Sequence, residues 1–154
     1  MSEGRKIEDA EHALAFILAG DARVTFVSSK TEARFTYRVE QAEDRETGKP
    51  VDGLWFVKLL VNPDNERGYQ YLGTIRRNPS GCRYGHGAKS KIGQQSPGAM
   101  AFAWTFQAIA SGRVPATAEV WHEGRCGRCG RALTVPSSIE SGIGPECSRK
   151  MMAA

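Results

Sequence analysis

No apolar run in this 154-residue chain approaches the ~20 residues needed to cross a bilayer. The longest, Ala13 to Ala19, is short and follows the acidic Glu8, Asp9 and Glu11, so neither a span nor a secretion signal is expected there. A cytoplasmic protein is the expectation. Phosphate-cradling loops are lacking too: there is no Walker-type Gly-Lys-Ser/Thr and no G-x-G-x-x-G after a strand, and Gly85-His86-Gly87 is too short for one. Histidine is scarce, at three residues, and so is cysteine, at four. Few nucleophile–base pairs are therefore available. Cys82 and His86 are the obvious candidates, but they lie in a glycine-rich stretch with no orienting carboxylate in view. The acidic pairs Glu8/Asp9 and Glu43/Asp44 read as solvated charges. No catalytic constellation emerges, and a binding role is expected.

Acid is the other scarcity, and it is local. Residues 1–75 hold 10 Lys+Arg and 13 Asp+Glu, whereas residues 76–154 hold 11 and 4, so the net +4 conceals a basic C-terminal half. Between Arg76 and Gly98 there is no acid at all, only Arg76, Arg77, Arg83, Lys89 and Lys91, with Tyr84 and His86 interleaved. A basic stretch with an aromatic suits a polyanion, with cations on phosphates and Tyr84 or Tyr69 on a base. Arg125, Arg128 and Arg131 would add a second positive edge. The bland alternative is a solvated basic surface.

The pattern predicts an α+β domain over residues 1–121, with a basic Gly-rich loop at 76–98, and a metal module over 122–154. A first helix is expected over Ile7 to Ala19, with Gly20 as its stop. Arg23–Ser28, Phe35–Val39, Leu54–Val61 and Tyr69–Ile75 read as about four antiparallel strands joined by turns. A second helix runs from Pro97 to Ala110, with Ser96 as N-cap and Pro97 in the first position. Met100, Ala103, Trp104, Phe106 and Ile109 are expected on its buried side. Val114–Trp121 should be extended. Trp55, Trp104 and Trp121 are assigned to the core.

What remains is metal chemistry. His122, Cys126, Cys129 and Cys147 follow one another with three, two and seventeen residues between. Thiolates with one imidazole suit tetrahedral zinc. Gly127 and Gly130 let the chain turn tightly around the knuckle. Cys147 follows Pro145 at the expected start of a short helix, where the dipole favours a thiolate. A knuckle followed by a ligand at a helix start is a treble-clef-like arrangement. A redox Cys-x-x-Cys fits less well, because Leu133-Thr134-Val135-Pro136 follows it rather than a helix. The fourth ligand is open between His122, which needs the shorter loop, and Cys82, with His86 more remote. Four protein ligands would make the zinc structural.

The string C-G-R-C-G-R-A-L-T-V-P-S-S-I-E-S-G-I-G-P-E-C resembles a zinc-ribbon or treble-clef-like module of an uncharacterised domain-of-unknown-function family in bacteriophages and bacteria. The likeness covers about residues 122–150. It implies Cys126, Cys129 and Cys147 as ligands with His122 as the fourth, and a phage context, but no activity. Two roles follow as expectations: a zinc-containing nucleic-acid binder, or a protein–protein module that inhibits a host complex, such as an anti-CRISPR or other anti-defence protein.

Overall fold

The computed structural model describes residues 5–61 and 68–122. Their chain order is β1 (Arg5–Ile7), α1 (Ala10–Ile17), β2 (Asp21–Ser28), β3 (Arg34–Glu43), β4 (Pro50–Leu60), β5 (Tyr69–Asn78), β6 (Gly81–His86), α2 (Pro97–Ala110) and β7 (Ala118–His122). All seven strands form one sheet in the order β1-β7-β2-β3-β4-β5-β6, and every neighbouring pair is antiparallel. The expectation of about four strands is therefore corrected to seven.

Each added strand has a physical reason for having been passed over. β1 is three residues long, too short to show alternation, and it exists by pairing with β7. β7 falls within the expected extended stretch Val114–Trp121, but its place between β1 and β2, far from both in sequence, is not visible locally. β6 alternates Cys82, Tyr84 and His86 with Gly81, Arg83 and Gly85, and the glycines erase the apolar signal. Asn78 pairs with Gly81 across the Pro79-Ser80 turn, where the Asn78 side chain accepts from the Ser80 N–H at 2.9 Å. Half of the expected 76–98 loop is thus hairpin.

Both helices cover one face. Asp9 caps α1 by accepting from the His12 N–H at 2.9 Å, and Ser96 caps α2 by accepting from the Ala99 N–H at 3.4 Å. Ala13, Phe16 and Ile17 of α1 and Ala99, Phe102, Phe106 and Ile109 of α2 pack on Val24, Tyr37, Val39, Trp55, Val57, Leu72, Ile75 and Val120. Met100 and Trp104 are corrections: they lie one turn apart on the outer side of α2, 54% and 55% exposed. The alanines of α2 make its buried stripe hard to read, because small apolar residues suit either side. Trp121 lies opposite Thr25 on the face away from the helices, half-buried, with its indole N–H donating to Glu119 at 3.0 Å.

Two polar bonds fix the layers. The Tyr37 hydroxyl, fully buried, donates to the Gly98 carbonyl at 2.6 Å, and the Trp55 indole donates to the Leu18 carbonyl at 3.1 Å. Tyr37→Phe leaves that buried carbonyl short of a donor. It should cost about 1–3 kcal/mol in urea unfolding with an unchanged m-value.

Gly73 marks the tightest approach. A Cβ there would fall on the Gly85 carbonyl oxygen and the Tyr84 ring, so the Tyr84 ring rests on bare backbone. Beside it, β5 carries a register shift that places Leu72 and Gly73 both inward.

Candidate functional site

The β5–β6 hairpin sorts the basic residues onto two faces. Arg76 and Arg83 are register partners on the face opposite the helices, and both are exposed. Like charges directly opposite repel. Among the described residues neither has an ion-pair partner. Arg77, one residue on, points to the helix side. Its guanidinium lies 5.2 Å from the Trp55 ring centroid and 2.7 Å from the Asp52 carboxylate. It closes the end of the core rather than standing free beside Arg76.

Tyr84 also belongs to the core side. Its ring meets Phe102 edge-on at 5.0 Å. Burial, with the neighbouring Tyr71 second, holds its phenol well above the ordinary ionisation range. Its hydroxyl is 3.4 Å from His86 Nδ1, while His86 Nε2 is 2.9 Å from the Ile92 carbonyl. A carbonyl only accepts, so Nε2 carries the proton and Nδ1 accepts from Tyr84. His86 thereby staples the segment after β6, which presents Lys89 and Lys91 to solvent. Ser90 adds a second anchor by donating to the Tyr71 carbonyl at 2.8 Å. Cys82 shares this inward face with His86, but four steps along the strand separate them by about 13 Å, which rules out a direct pair. Burial pushes the Cys82 thiol up, and Arg77 draws it part of the way back.

The outer face of the same strands holds two aromatics outside the sequence-derived set. Phe56 of β4 is 39% exposed, and Tyr71 of β5 lies beside it with ring centroids 6.3 Å apart. Tyr71 lies over Gly87, where an added Cβ would meet the ring at 2.5 Å. The strand Leu54–Leu60 is almost wholly apolar, which suggests burial on both sides and hides that Phe56 faces out. The odd positions Trp55, Val57 and Leu59 alone take the core. A charge network borders the aromatics. Arg38 holds Asp21 at 2.9 Å, and the Glu40 carboxylate forms ion pairs with Lys58 at 2.7 Å and Arg38 at 3.6 Å. Glu40 also faces Phe56 in register, and its charge is compensated by these two cations.

His122 is the one metal candidate of the clustered four that the described residues include. It ends β7 between Arg5 and Val24, 1% exposed, with its ring 5.7 Å from Phe16. Cys126, Cys129, Cys147, Arg125, Arg128 and Arg131 lie outside the described residues, as does the 123–154 part of the expected metal module. Among the described residues no group of three or more potential ligands converges, and no helix is long and apolar enough to cross a membrane.

A family of unknown function, DUF6011, matches residues 116–152. The match takes in all of β7 and the whole His122–Cys147 string. No curated protein and no solved structure matches the chain.

Proposed function

We propose that the protein is a non-enzymatic nucleic-acid binder whose C-terminal part holds a structural zinc ion. The carrying observation is the in-register pair Arg76–Arg83 on the open sheet face. Two cations held opposite one another, with no ion-pair partner among the described residues, are a standing cost that a phosphate would relieve. Lys89 and Lys91 extend the positive surface, and the three arginines around Cys126 and Cys129 add to it by sequence.

The donor set suits zinc. Thiolates of Cys126, Cys129 and Cys147 with the imidazole of His122 would complete a closed tetrahedron that supplies folding energy and no open position. The topology favours His122 over Cys82 as fourth ligand. β7 and β6 stand five strand steps apart in the sheet order. Cys126 is four residues beyond His122 in sequence, so His122 closes the shorter loop. A phage context accords with the family resemblance.

Fluorescence anisotropy of zinc-loaded protein with labelled DNA and RNA, at low and physiological salt, tests the binding role. Arg76→Ala/Arg83→Ala should weaken binding and lower the salt slope by about 1.4–1.8. An unchanged affinity removes this pair from the site. Absence of binding to any polymer at low salt would instead support the inhibitory protein-contact reading. The exposed Met100–Trp104 pair on α2 favours that reading.

A further inference from the structure

The cations by themselves do not distinguish a duplex from a single strand. Phe56 and Tyr71 supply that distinction. Their rings lie 6.3 Å apart on the sheet face opposite the helices, Phe56 within β4 and Tyr71 near the start of β5. On the β6 side, Gly85 pairs with Thr74 and raises no side chain, and Gly87, just after β6, lies under the Tyr71 ring. Phe56 pairs with Thr74, and Arg76 is two residues further along β5, about 7 Å away. Arg83 lies beside Arg76 on the next strand. Stacking surface and phosphate-binding charge thus adjoin on one face. Lys58 and Arg38 cancel the only carboxylate in register with Phe56.

We propose that the outer face of β4–β6 binds single-stranded nucleic acid, with Phe56 and Tyr71 stacking on unpaired bases and Arg76 and Arg83 holding the flanking phosphates. This rests on the nucleic-acid reading above and narrows its ligand. A base offers its face to a sheet aromatic only when it is unpaired, because in a duplex both faces are already stacked. A broad sheet face also does not enter the major groove, which admits a helix or a two-stranded ribbon. Aromatic stacking tolerates any base, so little sequence preference is expected.

The test uses the full zinc-loaded chain, a labelled oligothymidylate of about 16 nucleotides, and a duplex of the same length. Wild type should prefer the single strand. Phe56→Ala should weaken single-strand binding about 5- to 150-fold with an unchanged salt slope, leave duplex binding as it was, and be rescued by Phe56→Trp. Arg76→Ala/Arg83→Ala should instead lower the salt slope on both ligands. If Phe56→Ala binds the oligothymidylate like wild type while the arginine variant does not, the stacking platform is wrong and the charge reading stands. Tighter binding of the duplex overturns the single-strand assignment. No binding of either by wild type overturns both.

Discussion

Phe102→Ala should destabilise the protein by about 3–5 kcal/mol, a loss readable as a fall in the urea midpoint. Phe102 is fully buried and is the hub of the aromatic core. Its ring stacks on Phe26 at 5.6 Å and Phe106 at 5.5 Å, and meets Tyr37 at 4.8 Å and Tyr84 at 5.0 Å edge-on. Those partners come from β2, β3, β6 and α2, so the cavity left by alanine would have walls anchored in four elements and could collapse little. Trp104→Ala, two positions along the same helix, removes a larger side chain and should still cost less than about 0.5 kcal/mol. The comparison reads out directly which stripe of α2 is core. Equal losses at 102 and 104 would mean that α2 is rotated relative to the sheet. The same variant bears on the site, because Phe102 supports Tyr84, and Tyr84 lies on Gly73 at the heart of the β5–β6 pairing.

How far the sequence disclosed this arrangement depended on whether the signal was local. α2 occupies Pro97–Ala110, where Ser96 and Pro97 announce it, because capping chemistry acts within one turn. The apolar run of β4 is visible for the same reason. The β1 edge and the β7 insertion are decided by partners far along the chain, which composition does not reveal, whereas the β6 edge pairs locally and is hidden by its glycines. The candidate site divides in the same way. Arg76, Arg77 and Arg83 are legible as cations, but which of them share a face follows from register. The 76/83 and 77/82 pairings send Arg76 and Arg83 outward and Arg77 over Trp55. Phe56 becomes visible as an outward aromatic only once Trp55 and Val57 are known to point to the helices. The cysteine spacing is read directly from the sequence, and the topology adds the location of His122 at the end of β7.

Cys126→Ser and His122→Ala should each abolish stoichiometric zinc, whereas Cys82→Ser should retain it. Structural zinc in small modules is worth about 10–16 kcal/mol of apparent binding free energy near neutral pH, so losing one ligand is a large event. The three variants separate the two candidate ligand sets, because each set contains only one of Cys82 on β6 and His122 on β7, which stand five strand steps apart in the sheet order. Simple misfolding of His122→Ala would confuse the result, since the imidazole is buried beside Phe16. Two further readouts address this. Cobalt substituted for zinc should report three thiolates in wild type and Cys82→Ser by its charge-transfer absorption, with two thiolates at most in Cys126→Ser. Acid should release the metal, because thiolates and imidazole bind only when deprotonated, so a fall in pH replaces the ion with protons. Loss of the ion should loosen the sheet first at β7, since its last residue would be a ligand, and β1 pairs only with β7 among the described strands. Hydrogen exchange at residues 5–7 and 118–122 should therefore quicken on chelation while the amides of β4 and β5 stay protected. Full zinc retention by Cys126→Ser would sink the assignment. Full retention by His122→Ala with loss in Cys82→Ser would move the fourth ligand to the other side of the molecule and require a C-terminal segment that crosses the whole sheet.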